Sequence, residues 1–350
     1  MTAHRHLGVG AAVCAALLFG ASTPLVKALS VDVDANVGAA LLYLGSGIGL
    51  LLLLLIKRVR GKAIAPVPPT ARLRFVGAIV AGGVVAPVLL LMGLRATSAA
   101  SSSLLLNLEG VLTAAIAWLV FKENVDRRVL VGMVAIVAGG VVLSVDASGG
   151  FAFDVGAIFV VGACAAWAID NNLTQAASSA DPLLVAGLKG FVAGVVNLVI
   201  ALVLGQSLPP SSTAALLGVV GFCGYGLSLT LFVIGLRHLG TARTGAYFSA
   251  APFLGVVVAV LAFGEPFGAR LVVAGALMAV GLWLHVSEHH SHEHRHEELE
   301  HDHLHTHDGH HQHAHADGVA VDKPHSHPHR HEPLVHTHPH TPDIHHRHDH

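Results

Sequence analysis

The chain has 350 residues, of which 53% are hydrophobic and only 12% are charged, and its formal net charge is −2. Such a composition excludes a soluble globular protein, which needs more polar surface, and the near-neutral charge argues against a nucleic-acid partner. The charges are also divided unevenly, because residues 1–287 carry +6 and residues 288–350 carry −8. We therefore expect a part embedded in the lipid bilayer, followed by a polar tail.

Ten apolar runs, each about 20 residues long, follow one another along the first 286 residues, and this length crosses a bilayer as an α-helix. The predicted spans, numbered 1 to 10, are residues 7–29, 36–56, 74–94, 98–121, 129–146, 154–176, 183–205, 213–236, 242–263 and 268–286. They are too long for β-barrel strands and do not alternate polar with apolar residues. The predicted fold class is an all-α polytopic membrane protein with ten transmembrane helices.

Basic residues are concentrated in every second connection between the spans. Residues 57–74, 122–128 and 237–243 hold most of them, whereas the alternate connections hold only Arg95 and Arg270 among four aspartates. Because positively charged connections stay inside the cell, the first set and both termini are predicted to be cytoplasmic. We expect a multi-pass protein of the inner (plasma) membrane.

The two halves of the membrane part are related in sequence. An ungapped alignment, which we call the repeat alignment, superposes Gly93-Leu94-Arg95 on Gly235-Leu236-Arg237 and Phe121-x-Glu123 on Phe263-x-Glu265, with 12 of 51 positions identical. Five spans per half is an odd number, so the second half enters the membrane upside down, as in many secondary transporters. The predicted domains are an inverted pair of five-helix repeats, residues 1–146 and 147–286, and a tail, residues 287–350.

These motifs, with Pro252 in span 9 and Phe19-Gly20 and Lys27 in span 1, resemble the EamA-type drug/metabolite transporters. The resemblance covers roughly residues 7–286. It implies a ten-helix fold with a central cavity and, in most members, the export of small metabolites or toxic compounds. One departure is Glu109-Gly110, which stands where the family tends to have proline in span 4, and it predicts an atypical substrate.

Polar side chains inside the spans are the candidate cavity residues, because each is costly in hydrocarbon. They are Lys27, Asn107, Glu109, Asp170, Asn171, Asn172, Lys189 and Asn197. Several have a structural alternative. For Glu109 and Asp170 it is a helix–helix hydrogen bond or an internal ion pair, for instance Asp170 with Lys189. For Lys27 it is snorkelling, and for Asn197 a helix–helix hydrogen bond. We expect Glu109 and Asp170 to line the transport path and at least one of them to exchange protons. Gly110 and Pro252 are expected to interrupt spans 4 and 9.

The tail holds 24 of the 28 histidines, recurring as His-x-His, and has too few apolar residues for a core, so it is predicted to be disordered. Neutral imidazoles bind divalent Zn, Ni and Co. The predicted metal ligands are His301, His303, His305, His307, His310, His311, His313, His315, His325, His327, His329 and His331. No cofactor is required by this interpretation.

Three functions remain open at this point. The first is a secondary transporter that exports a small metabolite or an organic cation, with a metal-binding cytoplasmic tail. The second has the same fold with a divalent transition metal (Ni, Co or Zn) as cargo, and the third is a membrane metal sensor or chaperone without transport. The spans contain no arrangement of catalytic residues, so an enzyme is not expected, and a homodimer is left open.

Overall fold

The structure, a computed structural model, describes residues 2–121, 127–145, 154–177, 179–239 and 241–286, together with four segments of the tail. The chain forms two compact units, Met1–Ser287 and Glu288–His350. The first seven helices are α1 (Thr2–Leu29), α2 (Ala35–Val59), α3 (Arg72–Ala78), α4 (Ala86–Ala96), α5 (Ala99–Leu105), α6 (Asn107–Phe121) and α7 (Arg127–Ser144). The next seven are α8 (Val155–Thr174), α9 (Pro182–Val203), α10 (Ser211–Gly221), α11 (Ser228–Leu239), α12 (Thr241–Phe248), α13 (Ala251–Phe263) and α14 (Ala269–Val286). Two 3₁₀ turns, Pro69–Ala71 and Gln175–Ala177, extend α3 and α8.

Nine helical stretches within the described ranges are long and apolar enough to cross a membrane. They are His6–Leu29, Ala35–Val59, Pro69–Ala96, Ala99–Val120, Arg127–Ser144, Val155–Ala177, Pro182–Val203, Ser211–Leu236 and Arg243–Phe263. The prediction of a helical polytopic membrane protein is therefore confirmed, and each stretch corresponds to one predicted span. The apolar stretch of α14, Ala269–Leu284, is shorter, so the tenth span stays a prediction.

Spans 3 and 8 each contain a π-helical segment, a wide helical turn with i→i+5 hydrogen bonds. Ile79–Val85 connects α3 to α4, and Phe222–Leu227 connects α10 to α11. The repeat alignment, extended toward the N-terminus, carries residues 79–85 onto 221–227, so the two segments occupy matching places in the halves of the chain. Segments of this kind are rare and are found mostly at functional sites.

Spans 4 and 9 are both interrupted, but the break in span 4 is at Leu106 and not at the predicted Gly110, which lies inside α6. In span 4, α5 ends at Leu105 and α6 begins at Asn107, a few residues before Gly110. In span 9, α12 ends at Phe248 and α13 begins at Ala251, with Pro252 in its first turn, where its missing N–H costs no hydrogen bond. These two breaks also coincide in the repeat alignment, to within one or two positions.

The main helix packing of the membrane unit is symmetric: the most extensive contacts between spans are matched by contacts between their counterparts in the other half of the chain. Helix α2 packs along α9, and α7 packs along α14. Helix α1 packs on α11 and α13, and α8 packs in the same way on α4 and α6. Spans 1, 8 and 9 therefore form one group, and spans 6, 3 and 4 form its counterpart.

Glycine brings the central helices unusually close together. A Cβ atom on Gly47 of α2 would overlap the backbone of Phe191 in α9, and one on Gly190 would overlap the backbone of Gly47. Small residues at such crossings let backbones approach closely, which gives helices in lipid most of their packing attraction. The α2–α9 pair is thereby held beside span 3, whose Gly82 and Gly83 carbonyls accept from Tyr43 of α2 and Asn197 of α9.

The tail unit contains four seven-residue strands in segments where the sequence predicts disorder. They are β1 (His290–His296), β2 (Leu299–His305), β3 (His325–His331) and β4 (Leu334–His340), with β1 antiparallel to β4 and β2 antiparallel to β3. Alternation of histidine with other residues has a period of two, which is the period of a strand, and cross-strand backbone hydrogen bonds need no apolar core. The alternating pattern and the backbone hydrogen bonds together allow strands to form in so polar a sequence.

Candidate functional site

Glu109 stands in the first turn of α6, directly after the break in span 4. The hydroxyl of Ser98 caps the preceding helix α5 by accepting from the Ser101 N–H at 3.0 Å. At the break, the Leu104 carbonyl accepts from Asn107 Nδ2 at 2.9 Å, and the Leu105 carbonyl accepts from Cys164 Sγ at 3.5 Å. The predicted cavity residue Asn107 thus satisfies a carbonyl at the end of α5.

The Glu109 carboxylate is held by an amide from span 6. Asn171 Nδ2 donates to Glu109 Oε1 at 2.9 Å and to Thr113 Oγ1 at 3.3 Å, and Thr113 Oγ1 donates to the Glu109 carbonyl at 2.8 Å. Neighbouring Asn172 donates to the Thr113 and Ala168 carbonyls, at 3.2 and 2.9 Å. Both predicted asparagines of α8 therefore join span 4, and together they position Glu109.

Asn171 is solvent-exposed although it lies inside a membrane span. Hydrocarbon offers no hydrogen bonds, so exposed polar side chains in spans face water-filled cavities rather than lipid. Glu109 itself is half-buried beside this amide. The arrangement places a half-buried carboxylate and an exposed amide at the space between spans 4 and 6.

Asp170 and Lys189 form a buried ion pair next to this space. Lys189 Nζ donates to both carboxylate oxygens of Asp170, at 2.7 and 2.6 Å, and Thr174 Oγ1 donates to Oδ1 at 2.8 Å. Only 3% of Asp170 is exposed. The ion pair that the sequence offers as an alternative is thus present, and both of its charges act electrostatically on Glu109.

The π-helical segment in span 3 supplies two backbone acceptors to the same region. Tyr43 Oη donates to the Gly82 carbonyl at 2.7 Å, and Trp167 Nε1 donates to the same oxygen at 3.0 Å. The Gly83 carbonyl accepts from Asn197 Nδ2 at 3.1 Å. Fully buried Asn197 therefore makes a helix–helix hydrogen bond, which is its structural alternative.

A proline explains why these carbonyls are free. Pro87 has no N–H to donate, and its ring crowds the Gly83 carbonyl in an ordinary α-helix. In the i→i+5 pattern of this segment, where the Ala86 N–H donates to the Ala81 carbonyl, the carbonyl that Pro87 leaves without a donor is that of Gly82. A wider turn relieves the crowding. Side chains from spans 2, 6 and 7 then donate hydrogen bonds to these carbonyls.

Lys27 lies apart from the mid-span cluster, at an end of span 1. Its ammonium donates to the Thr97 carbonyl and lies 4.0 Å from Glu265 Oε1. The Glu265 carboxylate accepts from the N–H groups of Ala99 and Ala100, both at 2.8 Å, and so caps α5. This role of Glu265 is not among the predictions from the sequence. The repeated Phe-x-Glu motif, to which Glu265 belongs, is the sequence feature that could have indicated it.

Further polar contacts tie the ends of the spans on each side. Near Lys27, Thr97 Oγ1 donates to Asp154 Oδ2 at 2.9 Å, and Arg270 donates to carbonyls at the end of α7. At the opposite end of the helices, Lys57 of α2 forms an ion pair with Asp181, which caps α9. We call the group of Lys27, Thr97, Asp154 and Glu265 the outer clasp.

Aromatic rings from four spans form a continuous row beside the polar cluster. Tyr225 lies 6.1 Å from Tyr43 and 6.1 Å from Phe19, between ring centroids. Phe248 continues the row at 5.4 Å from Phe19, and Phe232 lies 4.8 Å from Phe248. We call these five residues the aromatic row. No local sequence pattern indicates it, because its members come from distant parts of the chain.

Comparison with known proteins identifies the family. The model of the EamA-like transporter family matches residues 6–145 and again residues 154–287. The chain belongs to the EamA-like transporter family. An uncharacterized transporter of Methanothermobacter thermautotrophicus is 31% identical over 210 residues, which cover 57% of this chain and 60% of that protein. A solved crystal structure aligns at a TM-score of 0.59 and 18% identity over 81% of this chain and 96% of its own, and so shares the fold.

The metal ligands predicted for this EamA-like transporter all lie in the tail. In the register of β2 and β3, His301, His303 and His305 stand opposite His329, His327 and His325, and His331 stands opposite Leu299. The other predicted ligands, His307, His310, His311, His313 and His315, lie outside the described residues. Among the described residues of this family member, no group of three or more His, Cys, Asp or Glu is placed to hold a metal ion.

Proposed function

We propose that this EamA-like transporter is a secondary active transporter that exports a small metabolite or an organic cation through a cavity beside Glu109. The observation that carries the proposal is the mid-span carboxylate bonded to the exposed Asn171 amide. A buried carboxylate is costly, and a protein that only needs a membrane anchor has no use for one. Membership of a transporter family supports transport and gives no indication of an enzyme.

The proposed architecture is ten spans in two inverted five-helix repeats. It is supported by the two successive matches to the family model, by the packing pattern that survives exchange of the halves and by the matching places of the two π-helical segments. Inverted repeats give alternating access when the two halves exchange conformations around a central site. The basic connections favour an orientation in the plasma membrane with both termini in the cytoplasm.

The outer clasp supports a resting state that is closed at one end. Its hydrogen bonds join the end of span 1 to the end of span 3, and the end of span 3 to the beginning of span 6. They also join the beginning of span 4 to the connection after span 9. Asn171 lies near the other end of span 6, in the half that the charge pattern assigns to the cytoplasm. An exporter that waits for cargo is open on that side.

The test is an accumulation assay in cells with and without the gene, across labelled amino acids, organic cations, organic acids and divalent metals. We expect at least one small organic compound to accumulate less when the gene is present. Glu109→Gln removes the charge and keeps the shape, and should abolish the difference. The matched control is Asp32→Asn, which removes an exposed carboxylate outside the helices. Equal accumulation of every compound, or full activity of Glu109→Gln, would refute the proposal.

A divalent metal as cargo is less well supported. Transition metals in proteins need several imidazole, thiolate or carboxylate ligands. The described part of the spans offers Glu109 alone as an acidic group that is not already in an ion pair or a helix cap. We instead propose that the histidine-rich tail buffers or senses Zn, Ni or Co.

A further inference from the structure

We propose that the cargo is a monovalent organic cation with an apolar body, an ammonium or guanidinium compound, bound between the Glu109 carboxylate and the aromatic row. This inference rests on the transport function proposed above and adds the chemical class of the substrate.

The first support is the charge of the site. Among the described residues, Asp34, Asp170, Asp181 and Glu265 each have a lysine or arginine nitrogen within 4.0 Å. Within the described ranges Glu109 has no such partner, and its carboxylate accepts from the neutral amide of Asn171. A carboxylate in the middle of a membrane that lacks its own cation is suited to receive one from outside the protein.

The second support is that other charge classes fit poorly. An anionic cargo needs a free cation, but Lys189, which lies beside the site, is already bonded to both oxygens of Asp170. A small divalent metal needs a group of ligands, which the described residues of the spans do not provide. A neutral apolar cargo would not compensate the charge of the Glu109 carboxylate. A single, diffuse positive charge matches one carboxylate best.

The third support is the position of the aromatic row. Tyr43 of the row and Trp167 of α8 donate to the same carbonyl oxygen, that of Gly82, and Asn171 of α8 donates to Glu109. Trp167, which lies one helical turn before Asn171 on α8, contacts Tyr43 Oη at 3.4 Å. The faces of aromatic rings carry negative potential and bind ammonium and guanidinium groups, most strongly when water is excluded.

The row is also more than ordinary packing. Aromatic residues make up only 5% of the chain, and elsewhere the fully buried large side chains are leucine, valine and methionine. Two of the three tyrosines and one of the three tryptophans nevertheless contact one another across three helices. Every ring in the row except that of Tyr43 is half-buried rather than enclosed.

The experiment is a calorimetric titration of the full-length protein, purified in detergent, with benzyltrimethylammonium, tetraethylammonium and phenylguanidinium. Benzoate and benzyl alcohol serve as the anionic and neutral compounds of similar size. We expect saturable binding of at least one cation and none of benzoate. Glu109→Gln should weaken the binding tenfold or more. Tyr225→Leu should weaken it about 2- to 30-fold, whereas Tyr225→Phe keeps the ring and most of the affinity.

The matched control is Phe267→Leu, an exposed ring outside the spans, and it should leave binding unchanged. Gel filtration verifies that each variant is folded, and Phe248→Leu replaces Tyr225→Leu if that variant aggregates. Equal binding of benzoate or benzyl alcohol, or no effect of Glu109→Gln, contradicts the inference. If cells export a neutral or anionic compound and the purified protein binds none of the cations, the cargo class is wrong while the transport function stands.

Discussion

The Lys189 ammonium donates to both carboxylate oxygens of Asp170, while the Glu109 carboxylate, on the neighbouring helix, accepts from the neutral amide of Asn171. Two carboxylates in one region of the membrane thus have different partners, a cation for Asp170 and a neutral amide for Glu109. Asp170 is neutralised by the protein and is almost fully buried. Glu109 keeps its charge available beside an exposed side chain. We therefore assign the structural role to the first and the exchange of cargo or proton to the second.

Removal of one partner from the ion pair should destabilise the protein. Lys189→Met leaves Asp170 charged and buried, at a cost of about 3–5 kcal/mol, whereas the double variant Lys189→Met with Asp170→Asn removes both charges. We expect the melting temperature in detergent to fall sharply for the single variant and much less for the double. Lys62→Met, at an exposed lysine, is the control. A double variant as unstable as the single would show that an uncompensated charge on Asp170 is not the cause of the destabilisation.

Gly82 should tolerate no side chain. A Cβ atom there would overlap the Asp170 carboxylate, which Lys189 holds in place, so Gly82→Ala should lower the melting temperature and impair transport. Gly110→Ala is the matched control, because no atom lies within 4 Å of its Cβ position. That change should be neutral or stabilising by up to about 1 kcal/mol, since alanine favours a helix. Equal melting temperatures for the two variants would contradict the packing of Asp170 on Gly82.

The outer clasp should control access from its end of the protein. Glu265→Gln removes the charge that Lys27 and the two N–H groups of α5 share, and charge-assisted hydrogen bonds of this kind contribute about 1.5–3 kcal/mol. When Ser101→Cys is introduced into a variant without native cysteines, its thiol should then react about tenfold faster with a polar reagent. Asp32→Asn, another carboxylate near this end, should leave the rate unchanged. An unchanged rate in Glu265→Gln would exclude a gating role.

The tail should bind metal without being needed by the membrane unit. Met1–Ser287 is compact by itself, so a chain truncated after Ser287 should insert, fold and transport as the full chain does. Equilibrium dialysis with Ni or Zn at about pH 7.5 should show several ions bound to the full chain and few to the truncated one. Protons compete for imidazole, so most of the difference should disappear at about pH 5. Equal binding by both chains, or binding indifferent to pH, would contradict the tail as the metal site.

The spans could be predicted from the sequence because insertion into lipid depends on local hydrophobicity. Each of the nine helical stretches in the described ranges follows a predicted apolar run to within a few positions. Polar residues in apolar runs are equally visible, so Glu109, Asp170 and Asn171 could be singled out before any fold was known. The α14 stretch is shorter because its apolar run ends at the polar tail.

The partners of those residues could not be predicted, because they depend on contacts between distant helices. Nothing near Asn197 in sequence indicates the Gly83 carbonyl, 114 positions away, and nothing near Tyr43 indicates Tyr225. Thr113 could have been found, since it follows Glu109 by one helical turn and shares its helix face. The sequence of the tail indicates polarity, but whether strands pair there depends on register.

The π-helical segment of span 3 also determines which residues beyond it face the protein. One extra residue in a helical turn rotates everything that follows by about 100°, since an α-helix has about 3.6 residues per turn. Leu90, Leu91 and Leu94, all on the far side of Ile79–Val85, are almost completely buried. Deletion of a single residue from that segment would leave the hydrophobicity of the span unaltered. The deletion would nevertheless rotate these leucines out of the interior. It would also move Arg95 away from the Val33 carbonyl, to which the Arg95 side chain donates a hydrogen bond.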